Sequence, residues 1–322
     1  MGNVPAPSAL AAQAFALMDA GDGAAAFDAH LALTAVDGIA VRTSWQTLEP
    51  ARGIYDWTAV DAAASAAASH GKKFGLHVLS SVYAPAPAWV LAEGAQSYSY
   101  QVPGALAVTD PLPWDPTYLA EWAAFLSAMA AHLEATGALP RLQYLSVSAP
   151  VPEMSLPGCA NGVMGTGTTA YDRDRYRDAW QSTIQASHGA FPGVAKLLPV
   201  PVATICRPDS DGAVFYTELL NTAIALEPRG FALYATDLNA QGSARMNGIA
   251  PQLGHAPVAF QFIGPASQDS AQRMQGTLQS AVCTGLRTYG SVLFEVYKVD
   301  LSSGDAALQA GIAAIHSPQL CP

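Results

Sequence analysis

The amino-acid sequence predicts an α/β protein, a single (β/α)8 TIM barrel whose first strand is irregular or poorly recognised. Three observations point there. Short apolar runs alternate with alanine-rich helical stretches, as a parallel sheet wrapped by helices requires. Seven such runs are distinct, one short of a closed eight-stranded barrel. None is followed by a G-x-G-x-x-G turn or a G-x-x-x-x-G-K phosphate loop, which weakens a doubly wound sheet.

Taken in order, the N-terminal region reads as a helical segment over about residues 8–35, with a helix from Ser8 to Met18 and a vaguer apolar stretch from Phe27 to Ala35. The missing strand should precede Val36. VDGIAVRTSW (36–45) is the first distinct strand, followed by a helix from Thr58 to Ser69 that Gly71 stops. KKFGLHVLSS (72–81) comes next, and after a long loop Pro116 to Thr136 places Leu119, Trp122, Ala123 and Leu126 on one helical face. LQYLSVSA (142–149) precedes a helix from Thr169 to Ser187. Phe191-Pro192-Gly193 then turns the chain into AKLLPVPVATI (195–205), whose prolines weaken it as a strand. FALYATDL (231–238), PVAFQFIG (257–264) and SVLFEVYKVD (291–300) complete the series, and a helix from Asp305 to Ile315 ends it. No internal repeat or low-complexity linker divides residues 1–322, so one domain is expected.

Of the 322 residues 51% are hydrophobic, enough for one large core. Only 12% are charged, and the formal net charge of -10 argues against nucleic acid or an anionic membrane as partner. The partner is expected to be neutral or small. No run reaches the roughly 18 apolar residues of a membrane span, so a soluble protein is expected. Met1-Gly2-Asn3 lacks a basic region and makes a poor signal peptide. Cys159, Cys206, Cys283 and Cys321 are widely spaced with no C-x-x-C pair, which disfavours zinc and leaves two disulfides or buried thiols. A secreted or periplasmic protein with disulfides is the favoured reading, and neither a cofactor nor a metal is expected.

In a barrel the reacting groups sit where strands exit into the following loops. Arg42 and Trp45 leave the first distinct strand; His77 lies in the next, followed by Tyr83 and Trp89. Glu153 leaves the third, Asp237 and Asn239 leave FALYATDL, Gln261 sits in PVAFQFIG, and Glu295, Tyr297 and Asp300 lie on the last. Aromatic faces with planar hydrogen-bonding groups suit a sugar, which offers ring faces for stacking and hydroxyls for bonding. Glu153 follows Pro150 and Pro152, which stop the strand ladder and stiffen its exit.

Each of these residues also has a plainer reading. Glu153 fits a loop cap, Glu295 an inward structural partner of Arg42, and His77 a core histidine. Asp237 fits a strand-end cap, and Trp45 and Trp89 ordinary packing. Glu49 and Asp56 fit stabilisers of the LEPARGIYDW turn, and YDRDRYRDAW (171–180) the solvated face of a helix. Neither a G-x-S-x-G elbow nor an H-E-x-x-H motif occurs, so an esterase or zinc hydrolase has no support.

The stretch VDGIAVRTSWQTLEPARGIYDWTAVDAAASAAASHGKKFGLHV resembles the second and third βα units of clan A glycoside hydrolases, closely over residues 36 to about 90 and more loosely over 142–154 and 171–192. The resemblance makes VDGIAVRTSW the second barrel strand and LSVSAPVPEM (145–154) the fourth, which puts Glu153 in the general acid/base position. Two departures accompany it. Pro152 stands where the clan carries Asn, and the seventh strand, which in the clan bears the nucleophile, offers Gln261. Glu295, one strand later, is then the candidate second carboxylate; otherwise the site works with one carboxylate or none. Strands four and eight face each other across a barrel, which favours the wider spacing of inversion over retention without deciding between them. The function implied is glycoside hydrolysis of a polysaccharide or oligosaccharide by carboxylate catalysis. Arg42, Trp45, His77, Trp89, Asp237, Gln261 and Tyr297 would line the cleft. The rival is a catalytically inactive carbohydrate-binding protein on the same barrel.

Overall fold

The computed structural model describes residues 12–80, 86–101, 107–151, 170–200 and 212–321. Eight strands close the barrel: β1 (Gln13–Met18), β2 (Gly38–Ser44), β3 (Lys73–Leu79), β4 (Leu142–Ser146), β5 (Ala195–Pro199), β6 (Phe231–Leu238), β7 (Val258–Phe262) and β8 (Ser291–Tyr297). Every neighbouring pair is parallel, and β1 seals the cylinder against β8.

The N-terminal expectation is corrected. QAFALM forms a strand, and the helix comes afterwards, as α1 (Ala24–Leu31). All but Gln13 in β1 are buried, because this strand is covered on both faces. A doubly covered strand has no polar face to reveal a period of two, and Ala, Leu and Met are good helix formers, so the local signal favoured helix. The longer helices that follow are α2 (Thr58–Ser69), α3 (Pro116–Ala135), α4 (Arg173–Ala190), α5 (Gly212–Leu226), α6 (Leu278–Tyr289) and α7 (Ala306–His316), of which α2, α3, α4 and α7 answer to sequence signals named above. Asp115 caps α3 by accepting from the Thr117 and Tyr118 amides, with Pro116 in the first turn. An antiparallel hairpin of Ser97–Gln101 and Ala107–Pro111 lies between β3 and α3.

Side chains alternate across the barrel wall. Leu76, Val78, Leu145, Val147, Leu233, Phe260 and Phe294 face the helices within one continuous core. Phe15, Leu17, Ala40, Tyr144, Leu197, Ala232, Tyr234, Ala259 and Leu293 fill the interior. Each large apolar side chain so enclosed contributes about 1.5–3 kcal/mol. Gly75 on β3 is required by the interior packing, since a Cβ there would collide with the Tyr144 ring. A disulfide joins Cys283 of α6 to Cys321; Cys159 and Cys206 lie outside the described residues. No helix among the described residues is long and apolar enough to cross a membrane.

Candidate active site

The alternation that buries Leu76, Leu233 and Phe294 outward turns polar side chains into the barrel. Arg42 on β2 is level with His77 on β3, and Gln261 on β7 with Glu295 on β8. These four, with Tyr297 at the end of β8 and Tyr144 and Tyr234 from β4 and β6, form one hydrogen-bonded network.

Glu295 is its electrostatic centre. The carboxylate has no exposed surface. Its Oε1 accepts from His77 Nε2 at 2.5 Å and from the Tyr144 hydroxyl at 2.6 Å, while Oε2 accepts from the Tyr234 hydroxyl at 2.6 Å. Burial by itself would raise the pKa of Glu295. The adjacent His77 and the hydrogen bonds from His77, Tyr144 and Tyr234 outweigh it and hold the carboxyl below its ordinary value. The group is therefore an enclosed anion with its donors in place. Tyr144 shifts the other way, well above the usual phenol value, through burial and then the Glu295 charge, so it stays a donor. Donating from Nε2 fixes where the His77 proton sits when the ring is neutral, and leaves Nδ1 as the basic nitrogen.

The second half of the network faces solvent more. Arg42 donates to Gln261 Oε1 at 2.6 Å, Tyr234 reaches the same oxygen at 3.4 Å, and Gln261 Nε2 donates to the Tyr297 hydroxyl at 2.9 Å. Arg42 and Tyr297 are half-buried, His77 and Gln261 nearly enclosed. A ligand at the mouth thus meets a guanidinium, a phenol and the edges of an imidazole and an amide.

Several expected lining residues lie elsewhere. Trp45 is fully buried, packed edge-on against Trp89 and Trp122 and bonded through Nε1 to Glu49 at 2.7 Å. Its expected place in the cleft is corrected: a ring with no exposed face cannot stack on a sugar. Trp89 is half-buried in that cluster, with Nε1 donating to the Glu49 carbonyl at 3.0 Å. Glu49 also accepts from the Gly53 amide at 2.8 Å and so braces the LEPARGIYDW turn. Asp237 accepts from Ser243 Oγ and the Arg245 amide, closing the β6 exit loop outside the network. The expected Glu295 partner, Arg42, bonds Gln261 instead, because His77 is the donor that β3 aims at the carboxylate. Glu153 lies outside the described residues, as do residues 81–85 and 201–211 that follow β3 and β5.

Tyr144 and Tyr234 were not expected in the site. The signal was parity: in LQYLSVSA, Tyr144 alternates with Leu145 and Val147, so it faces the interior when they face the helices. Among the described residues, no group of three or more His, Cys, Asp or Glu side chains is placed to hold a metal ion.

No protein-family model matches the sequence, and no curated protein sequence does. Solved structures do match the fold. An exo-β-1,4-mannosidase from Opitutaceae bacterium strain TAV5 superposes with a TM-score of 0.56 at 12% identity over 97% of this chain, which spans 60% of the mannosidase's length. Xylanase 10B from Thermotoga maritima gives 0.53 at 9% identity, covering 89% of this chain and 83% of the xylanase. Endo-glycoceramidase II from Rhodococcus sp. gives 0.52 at 14%, covering 89% and 73%. At these identities the likeness is one of fold, and the chain shares a (β/α)8 barrel with these three proteins.

Proposed function

We propose that the protein is a glycoside hydrolase acting on a polysaccharide or oligosaccharide at the C-terminal mouth of the barrel. The observation that carries this reading is the His77–Glu295 pair set beside Arg42, Gln261 and Tyr297, where β2, β3, β7 and β8 exit. The fold likeness to a mannosidase, a xylanase and a glycoceramidase supports it.

Glycoside cleavage needs a proton for the leaving oxygen and a nucleophile at the anomeric carbon. Glu153, which follows β4 in the sequence, supplies the proton. The enclosed Glu295 carboxylate does not touch the sugar; it serves as the second carboxylate through His77. His77, with its Nε2 proton held by Glu295, takes a proton on Nδ1 from the attacking water, and the fixed charge of Glu295 stabilises the imidazolium so formed. Water attack in one displacement inverts the anomeric centre. Arg42, Gln261 and Tyr297 orient the sugar hydroxyls. The disulfide adds a proposed site of action in an oxidising compartment, outside the cytoplasm or in a periplasm.

The test is release of reducing ends from a panel of polysaccharides, with the first-formed anomer followed by NMR. Inverted product is expected; a retained anomer would rule out the water route. Binding without turnover is the second reading. It is favoured by the amide of Gln261 and the enclosure of Glu295, which leave no exposed carboxylate among the described residues of the network. It predicts glycan affinity in the parent with no product from any substrate.

A further inference from the structure

Among the described residues, the mouth of the barrel holds two guanidinium groups that form no ion pair with a carboxylate. Arg42 donates to the neutral Gln261, and Glu295, the acid within the barrel, is bonded to His77, Tyr144 and Tyr234 instead. Arg273 arrives from the loop after β7. Its guanidinium lies against the backbone at the β7 exit, where a Cβ on Gly264 would collide with it. Both charges bear on Tyr297: burial raises the pKa of that phenol, and Arg42 and then Arg273 work against the rise. Neither arginine has an ion-pair partner among the described residues.

The loop is built to hold Arg273 there. Asp300, fully buried, accepts from the Ala266 and Ser267 amides at 2.8 Å each. Asp269 accepts from the Arg273 amide at 2.9 Å and the Met274 amide at 2.6 Å. Both acids of this region are thus turned to main-chain amides and not to the guanidinium groups. Gln272 and Gln275 flank Arg273 in the left-handed region at φ 52, a conformation that costs a non-glycine residue about 1 kcal/mol or more. The protein's net charge is -10. Net charge governs long-range association; a half-buried guanidinium governs what seats beside it.

We infer that the site takes an acidic saccharide, a uronic acid unit whose carboxylate is clamped between Arg42 and Arg273. The inference rests on the carbohydrate reading above and names the substrate class for it. Planar guanidinium groups bind a carboxylate in paired, charge-assisted hydrogen bonds that a neutral hydroxymethyl group cannot replace. Tyr297 and Gln261 remain for the ring hydroxyls.

The experiment uses the full chain and calorimetric or NMR titration with glucuronic and galacturonic acids, with glucose and galactose, and with acetate. Arg273→Gln is the variant, since Arg273 is exposed and the change leaves the core intact. A uronic acid is expected to bind about tenfold to a hundredfold more tightly than its neutral counterpart. Arg273→Gln should remove most of that margin and leave neutral sugars unaffected. Neutral sugars binding as well as uronates, acetate binding as well as a uronate, an unchanged uronate affinity in the variant, or no binding at all would each overturn the inference. Hydrolysis fails separately: uronate binding without cleavage of a uronic acid oligosaccharide sinks the enzyme and keeps the clamp, whereas cleavage of neutral glycans alone does the reverse.

Discussion

Replacing Glu295 tests whether an ionised carboxylate sits at the centre of this barrel. In the parent it accepts three hydrogen bonds in a space without exposed surface. Hydrogen bonds to a charged group contribute about 1.5–3 kcal/mol each and neutral ones about 0.5–1.5. Glu295→Gln preserves shape: the amide oxygen can keep His77 and Tyr144, and the amide nitrogen can face a Tyr234 hydroxyl that turns to accept. Three bonds then each weaken by about 1 kcal/mol, and burying an amide in place of an anion returns part of that, so a net loss of about 2–3 kcal/mol is expected. Glu295→Ala leaves three donors unmatched in a cavity and should cost about 4–6 kcal/mol. Urea unfolding at pH 7, followed by two probes to verify a single transition, measures both.

The pH dependence follows from the sign of the shift. The folded pKa of Glu295 is held below the unfolded value of about 4.3, so its stabilisation is present above that pH and is lost as pH falls through the folded value. The Gln variant should lack that part of the acid limb. A Glu295→Gln protein within about 0.5 kcal/mol of the parent at pH 7 would refute the enclosed anion.

Three other perturbations have defined outcomes. His316 donates to Asp37 at 2.8 Å, which raises its folded pKa above 6.5; this stabilisation is complete below that pH and fades as pH rises through the folded value. His316→Gln should therefore lower Tm more at pH 5.5 than at pH 8.5, by a small amount because the pair is part-exposed. The Cys283–Cys321 disulfide closes a separation of 38 residues, so Cys321→Ser should cost about 2–4 kcal/mol, read by thermal unfolding with and without reductant. Gly75→Ala drives a methyl group into the Tyr144 ring and should cost about 1–3 kcal/mol or more; an unchanged Tm would mean that the ring does not lie over β3.

Much of the fold was legible because its signals are local. FALYATDL coincides with β6, and Thr58 to Ser69 coincides with α2. Such runs carry their own punctuation, as in the left-handed Gly71 that follows α2. β1 was hidden because enclosure on both faces erases alternation and leaves alanine-rich composition to speak for helix. The polar network was legible as a set of residues on the strands, but its pairing was not. His77 and Glu295 are 218 positions apart, and Tyr144 and Glu295 are 151 apart, so only closure of the cylinder decides that His77 and not Arg42 faces the carboxylate. Trp45 misled for a related reason. A tryptophan at a strand exit reads equally as platform or packing, and the aromatic cluster from α3, Tyr118, Trp122 and Phe125, decides for packing.

The most direct measurement is turnover and binding of a responsive glycan by the parent and by Glu153→Gln, side by side. Hydrolysis at the barrel mouth requires the parent to release product, and the variant to lose nearly all turnover while holding the glycan with similar affinity. Full turnover in the variant, or a parent that neither cleaves nor binds any glycan, would contradict it.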